Sequence, residues 1–497
     1  MRLRSSLATL VLAAVSQSQL AGQEVALAPY RAVSLPSSEP MRLTTASERA
    51  RQLFGQAILL SGNYRLDESL KSLRAATAED GGFAAAWAML ALFASDSREG
   101  AAALAEAESL AGKTSPSEML LVRWVAAVKQ NSQLAAISDL NDLVRRESGD
   151  KFVLYLAGRW FVDQHNAPRA VPLFEKVLEL DPEFTPVLNR LGYSYAAMGD
   201  MTRAEAMMQR YIAALPDDPN PEDSYGDILL KAGRYSDAKT HFEAALKKDP
   251  GFGPSQHELG DVYALLGNQE GAREAYERSA RIAANPRRSL EYRSSIALSY
   301  VREQRYGFAD REYLALAAEA RERKYADLEA AFHQAMAMYQ SDDAAALKQL
   351  DAAEAAIRDD QDLAAVTRDE SMAVVRRWRA IRSLHAGNPA LAEVCLHVLE
   401  EKYQLTENEW IGTQMHALHG VLLMEEKKLP AAILELEQTA DDPFSLDLLA
   451  RAKRETGDLR GADAATRQLL SIHASTLDSV LVVEPARLKL AAASASN

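Results

Sequence analysis

The chain has 497 residues, of which 70 are acidic and 56 basic, giving a formal charge of −14, and 48% are hydrophobic. That apolar share suffices for a folded core and excludes intrinsic disorder, and the acidic balance excludes a general nucleic-acid binder, whose phosphate contacts need clustered Lys and Arg. A single Cys excludes an internal disulfide, so packing has to supply the stability.

Arg2 and Arg4 precede an apolar stretch from Leu7 to Val15 and then small and polar residues, the build of a secretory signal peptide over residues 1–22. A helix over that stretch reaches about 13 Å at roughly 1.5 Å per residue, short of the roughly 30 Å hydrocarbon core. Cleavage after Ser16, Ser18 or Ala21 fits the small-residue pattern equally. Leu20-Ala21-Gly22 leads into Gln23, which has no thiol to take a lipid. Residues 23–46 carry Pro29, Pro36 and Pro40 without a sustained apolar period and are expected to form a flexible linker. The expectation is an exported chain, periplasmic or extracellular, whose folded body begins near residue 47. No later stretch approaches 18 consecutive apolar residues, so no membrane span is expected.

Four consecutive segments of 34 residues start at Lys151, Thr185, Pro219 and Gly253. Gly158, Gly192, Gly226 and Gly260 recur in register, and so do Ala170, Ala204, Ala238 and Ala272. Large residues follow the same period: Phe161, Tyr195, Leu229 and Tyr263 in one series, Phe174, Met208, Phe242 and Tyr276 in another. Within each unit the apolar spacing is helical, and breaks such as Met198-Gly199-Asp200 mark the turn of a helical hairpin. A Gly inside a helix costs roughly 1 kcal/mol relative to Ala, so its repetition implies close helix contact. Gly226 and the methyl of Ala238 are expected to let the two helix backbones approach, with Phe242 and Leu229 filling the space between neighbouring units. Pro182, Pro216 and Pro250 end successive units, and Pro286 comes two residues late.

These small, large and Pro positions resemble the tetratricopeptide repeat. The resemblance is clearest over 151–286 and implies an all-α fold, a right-handed superhelical α-solenoid of ten to twelve tandem helix-turn-helix units over residues 47–475. Weaker matches extend it: Gly62-Asn63-Tyr64 with Ser69, Leu73 and Ala76; Tyr306, Ala309 and Tyr313; Ala346, Leu350 and Ala353; Gly387, Ala392 and Leu399; Ala432 and Leu436; Gly457 and Ala462. Such units shelter each other's apolar faces, so the ends need protection. Residues 476–497, with Val480 to Val483, are expected to cap the last hairpin and then fray.

Converging catalytic groups are missing from the sequence: there is no phosphate loop of the Walker type, no Gly-x-Ser-x-Gly turn and no Cys pair for zinc. No enzyme, cofactor or metal is expected. His416 and His419 share a helix face three residues apart, yet a metal needs further ligands, and they read as a polar face. Cys395 reads as a small buried hydrophobe. Arg376-Arg377-Trp378-Arg379 with Arg382 reads as a solvated helix face.

The resemblance implies that partners lie along the concave side formed by the first helices. The matching positions are Tyr155 and Arg159, Asn189 and Tyr193, Asp223 and Asp227, and His257 and Asp261. Their polar and aromatic mixture suits a protein or peptide partner. The Lys and Asn set of chaperone-type repeats is not reproduced at the corresponding places. The expected function is a non-enzymatic interaction scaffold of the cell envelope. The alternative is a carbohydrate- or cell-wall-binding module using Tyr155, Tyr193 and Trp160.

Overall fold

The computed structural model describes residues 41–495 apart from positions 64, 95, 96, 131, 165, 361, 362 and 440. The expected signal peptide and most of the expected linker lie outside the described residues. The described chain is all helical, without a strand, and divides into two units after Pro216.

The first unit contains five helical hairpins: α1 (Glu48–Gly62) with α2 (Leu66–Glu79), α3 (Ala84–Phe93) with α4 (Ser97–Ala111), α5 (Pro116–Lys129) with α6 (Gln133–Arg146), α7 (Lys151–Asp163) with α8 (Ala167–Leu180), and α9 (Thr185–Ala197) with α10 (Met201–Ala214). The second contains seven: α11 (Asn220–Lys231) with α12 (Tyr235–Lys248), α13 (Gly253–Leu265) with α14 (Gln269–Arg281), α15 (Pro286–Arg302) with α16 (Tyr306–Glu322), α17 (Ala326–Tyr339) with α18 (Asp343–Asp359), α19 (Ala365–His385) with α20 (Pro389–Thr406), α21 (Glu409–Glu425) with α22 (Leu429–Glu437), and α23 (Pro443–Glu455) with α24 (Leu459–Leu470). A short π-helical turn, Ser479–Val483, and α25 (Glu484–Ala495) follow. The tandem hairpins make a solenoid of the tetratricopeptide type.

The repeated glycines hold the hairpins together. A Cβ placed on Gly158, Gly192, Gly226 or Gly260 would lie 2.4, 2.0, 2.6 or 2.4 Å from Phe174, Met208, Phe242 or Tyr276 respectively. The contact on Gly226 is therefore the Phe242 ring, sixteen residues on. Gly420 and Leu436 repeat the arrangement at 2.6 Å in a stretch where the 34-residue register is hard to see. The turn glycine Gly233 has φ +75°, a left-handed conformation that an L side chain adopts only with strain. Asp150, Asn166, Asp200 and Asn268 accept hydrogen bonds from the first backbone N–H groups of the helices they precede. Pro182, Pro216 and Pro250 follow helix ends, whereas Pro286 opens α15 behind its N-cap Asn285.

That change of role marks where the units lengthen. α15, α16, α18 and α21 have 17 residues each, and α19 has 21. First helices start at 286, 326, 365 and 409, so the spacing outgrows 34 and the sequence signal fades although the hairpins continue.

The first unit closes on itself. A Cβ on Gly62, at the end of α1, would meet Pro186 of α9 at 2.5 Å and the Tyr155 hydroxyl of α7 at 2.7 Å. Asn63 meets Thr185 (3.3 Å) and accepts from Tyr211 (3.4 Å). The chain before α1 is also tied down. The Met41 N–H donates to Asp150 (2.6 Å), and the Thr44 N–H donates to Glu118 (2.8 Å), a buried carboxylate that also accepts from Ala85 N–H at the start of α3 (2.8 Å). Carboxylates at helix N-termini are favoured by the dipole, and here they anchor residues 41–46, the last part of the expected flexible linker.

Replacing Gly226 by Leu is expected to destabilise the protein by about 1–3 kcal/mol through overpacking against Phe242. Chemical denaturation followed by circular dichroism measures it, and an unchanged midpoint would contradict the glycine-under-ring contact.

Candidate functional site

Four of the eight concave candidates come together in the second unit. Asp223 and Asp227 stand one turn apart on α11, and His257 and Asp261 one turn apart on α13, because residues four apart share a helix face. Asp223 accepts from the Ser255 hydroxyl (2.6 Å), and Asp227 pairs with Lys231 (2.7 Å). Asp261 accepts from the Tyr276 hydroxyl (2.6 Å), while His257 meets Ser295 (2.9 Å) and stacks on Tyr292 with centroids 4.7 Å apart. Glu258, which the sequence reading passed over, joins them: ligand-type atoms of His257, Glu258 and Asp261 lie within 4.8 Å of one another. These residue types are ones that hold a divalent cation, but His257 and Asp261 are already engaged with Ser295 and Tyr276.

Crowded carboxylates out of water resist ionisation. Burial pushes the Asp223 carboxyl up to about 7 against the Ser255 hydrogen bond, and the Asp227 charge adds to the rise. Glu258 lies well above the ordinary carboxylate range for the same reason, with the charges of Asp261, Asp227 and Asp223 adding to burial. Burial also lowers His257, against the opposing charge of Asp261.

The chain's own C-terminal segment sits beside this cluster. Ser475 lies beside the Tyr276 hydroxyl that donates to Asp261 and offsets part of the rise that burial imposes on it. Tyr235, at the start of α12, meets His473 Nδ1 at 2.7 Å. Arg487 also points a donor at that nitrogen (3.2 Å), so Nδ1 is the acceptor and the ring is neutral. Burial and the Arg487 charge hold His473 down at about 4. Arg302, at the end of α15, bonds Glu484 (2.9 Å) and Ser475 (3.3 Å). Val480 is buried in the apolar cluster of α15, α16 and α17, with Leu477 and Leu481 packed against it. Val483 belongs to the cluster of the last two hairpins. The expected cap therefore does more than cover α23 and α24: it reaches hairpins more than 150 residues upstream. The sequence carried its apolar run but no sign of that destination.

The other four candidates lie in the first unit. Tyr155 is 0% exposed, its ring 5.4 Å from Phe184 and 6.3 Å from Phe174, and Asn189 is 0% exposed on α9. Both are core residues there, because the closure by α1 covers positions that an open array would present. Arg159 is half-buried with its guanidinium 5.0 Å over Phe93, and Tyr193 is half-buried. Trp160 is buried too, so the carbohydrate-binding alternative loses Tyr155 and Trp160 as exposed platforms.

The basic cluster on α19 is an internal staple rather than a solvated face. Arg377 is buried and forms a two-pronged pair with Asp442, the N-cap of α23 (2.7 and 3.2 Å). Arg382 donates to the Ala337 and Met338 carbonyls and to Asp343. Burial alone would raise Asp442, but the Arg377 charge wins and holds it below the usual carboxylate range. His416 and His419 do share a face, and both meet Glu435, at 2.7 and 3.2 Å. Cys395 is buried in α20, and burial raises its thiol.

Family models for the tetratricopeptide repeat match residues 161–222 and 226–286. These segments are similar to tetratricopeptide repeats, a class that generally mediates protein–protein interaction and is typically non-enzymatic. Among solved structures, yeast Tom70 is similar at 15% identity over 84% of this chain and 96% of that one, with a TM-score of 0.41. A tetratricopeptide repeat protein from Parabacteroides merdae is 17% identical over 51% of this chain and 99% of its own, with a TM-score of 0.36. MamA is 21% identical over 34% of this chain and 96% of its own, with a TM-score of 0.28. No curated protein matches the chain. No helix among the described residues is long and apolar enough to cross a membrane.

The raised Asp223 carboxyl has a stability consequence. The folded state holds the proton up to about 7, whereas the ordinary value is 3.8, so this contribution is full at low pH and is lost as pH rises through 7. Asp223→Asn is expected to be increasingly more stable than the parent between pH 4 and pH 8 in thermal denaturation. Parallel curves across that range would contradict the raised carboxyl.

Proposed function

We propose that this chain is a non-enzymatic scaffold of the cell envelope, periplasmic or extracellular, that binds a protein or peptide partner along the face carrying Asp223, Asp227, His257 and Asp261. The general role of tetratricopeptide repeats in protein contacts supports the class. The observation that carries the reading is a peptide already seated on the second unit: residues 473–484 of the chain itself, held by Tyr235, by Arg302 and by the apolar cluster of α15 to α17. A surface that holds one peptide by hydroxyl, guanidinium and apolar contacts has the means to hold another. Tyr155 and Asn189 take no part in this reading because they are buried. Arg159 and Tyr193 remain candidates on the first unit. The export step rests on Arg2, Arg4 and the apolar run Leu7 to Val15.

Two measurements test it. A photo-crosslinking residue in place of Glu258 is expected to trap a discrete protein in the native envelope, and one in place of the exposed Glu243 on α12 is not; equal trapping at both would refute the face assignment. N-terminal sequencing of the chain recovered from the envelope fraction is expected to start after Ser16, Ser18 or Ala21. A start at Met1 would refute export by a cleaved signal.

A further inference from the structure

The bed under the C-terminal segment is built for more than that segment gives it. Its floor is the apolar cluster of Leu298, Val301, Tyr313, Phe332 and Tyr339, which receives Val480. Two buried guanidiniums attend the segment that fills it: Arg302, bonded to Glu484, and Arg377, near Asp478, with side chains 9% and 5% exposed. Arg302 Nη1 and Arg377 Nε are buried without an acceptor. A buried donor left unpaired is destabilising, so the bed has unmet demand for carboxylate oxygen.

The resident segment fits that demand imperfectly. Asp478 lies beside Arg377, but Arg377 already has Asp442, and burial with the Asp442 charge pushes the Asp478 carboxyl up to about 7. The backbone over Ser479–Val483 is π-helical, a form that appears mostly at functional or strained places. Leu477 and Leu481 are only partly buried. Nothing in α15, α16 or α17 hangs on the segment covalently: it follows α24, and the chain after it carries Leu488 and Leu490 exposed at 71% and 54%. Its hold on α15 to α17 is therefore by packing and polar contacts alone, while Val483 ties its far end to the cluster of the last two hairpins.

We propose that the bed formed by α15 to α17, with Arg302 and Arg377, is an exchangeable docking site, and that residues 473–484 hold it until a partner segment of the same chemistry displaces them. The partner segment is a short acidic amphipathic helix. Its pattern is read from the resident: an apolar residue at i, i+3 and i+4 (Leu477, Val480, Leu481) and a carboxylate at i+7 (Glu484) directed to Arg302. A second carboxylate near i+1, the place of Asp478, faces the Arg377 side. The proposal rests on the scaffold reading above and adds the partner's chemistry. An intramolecular ligand competes at an effective concentration of about millimolar, so free peptide gains access chiefly when the resident is weakened.

The test uses the full chain and a fluorescently labelled peptide of residues 471–488. Val480→Asp in the full chain weakens the resident and leaves the bed intact. The peptide is expected to bind this variant at least tenfold more tightly than the parent, and to lose that binding when Arg302→Gln is added or when the peptide carries Glu484→Gln. No binding to a variant that keeps its helical circular dichroism would overturn the proposal. Hydrogen exchange on the unaltered chain decides the matter independently of that variant. Residues 473–484 are expected to exchange in an opening of their own, faster than α15 to α17, and exchange in a single shared event would overturn the proposal. Peptide exchange without a protein trapped at Glu258 would leave the docking bed standing and sink the scaffold reading, and trapping without peptide exchange would do the reverse.

Discussion

A helical hairpin of this size cannot bury its own apolar face, and everything else in the molecule follows from how that face is covered. The local device is a glycine on the first helix beneath a large side chain on the second, sixteen residues later. Gly158, Gly192, Gly226, Gly260 and Gly420 all show it, with Phe174, Met208, Phe242, Tyr276 and Leu436 above them. The absence of Cβ lets the ring or sulfur side chain sit against the helix backbone, and dispersion contact at that distance offsets the helix-propensity cost of glycine. Each hairpin then leans on the next, as in other repeat arrays.

The two units cover the remaining faces in different ways. In the first, α1 turns its end onto α7 and α9, and the segment before it crosses the starts of α3, α5 and α7 on buried or half-buried carboxylates. In the second, the C-terminal segment serves: its apolar residues enter the cluster of α15 to α17, and its polar ones meet Tyr235, Tyr276 and Arg302. The first combines a hairpin helix, α1, with the chain before it, whereas the second uses chain from beyond the last hairpin. In the second, Arg302 and Arg377 keep buried donors without an acceptor and the Asp478 carboxyl is raised beside them, marks of a contact that is not optimised for permanence.

The candidate site was half legible. Asp223, Asp227, His257 and Asp261 were found by their place in the repeat, because helical geometry puts residues four apart on one face whatever the tertiary context. Glu258 was passed over because the repeat register pointed to positions four apart, although it stands three residues before Asp261 on the same helix and also feels the charges of Asp223 and Asp227 on α11. The Arg377 group was misread as solvated for a related reason: its partner Asp442 is 65 residues away, and charge runs do not announce distant counterions.

By itself the sequence determined the helical hairpin, its period, its turns and the side each helix would bury, since these depend on contacts within about 34 residues and on the conformational limits of Gly and Pro. Tertiary structure alone decided which faces stay open. Tyr155 and Asn189 occupy the same repeat position as Asp223, yet they are core, with the end of α1 packed against Tyr155 and against Pro186 on the helix that carries Asn189. The destination of the C-terminal segment was decided the same way. A pattern of apolar residues states that a face must be covered, and the covering partner is set by shape and charge complementarity between stretches far apart in the chain.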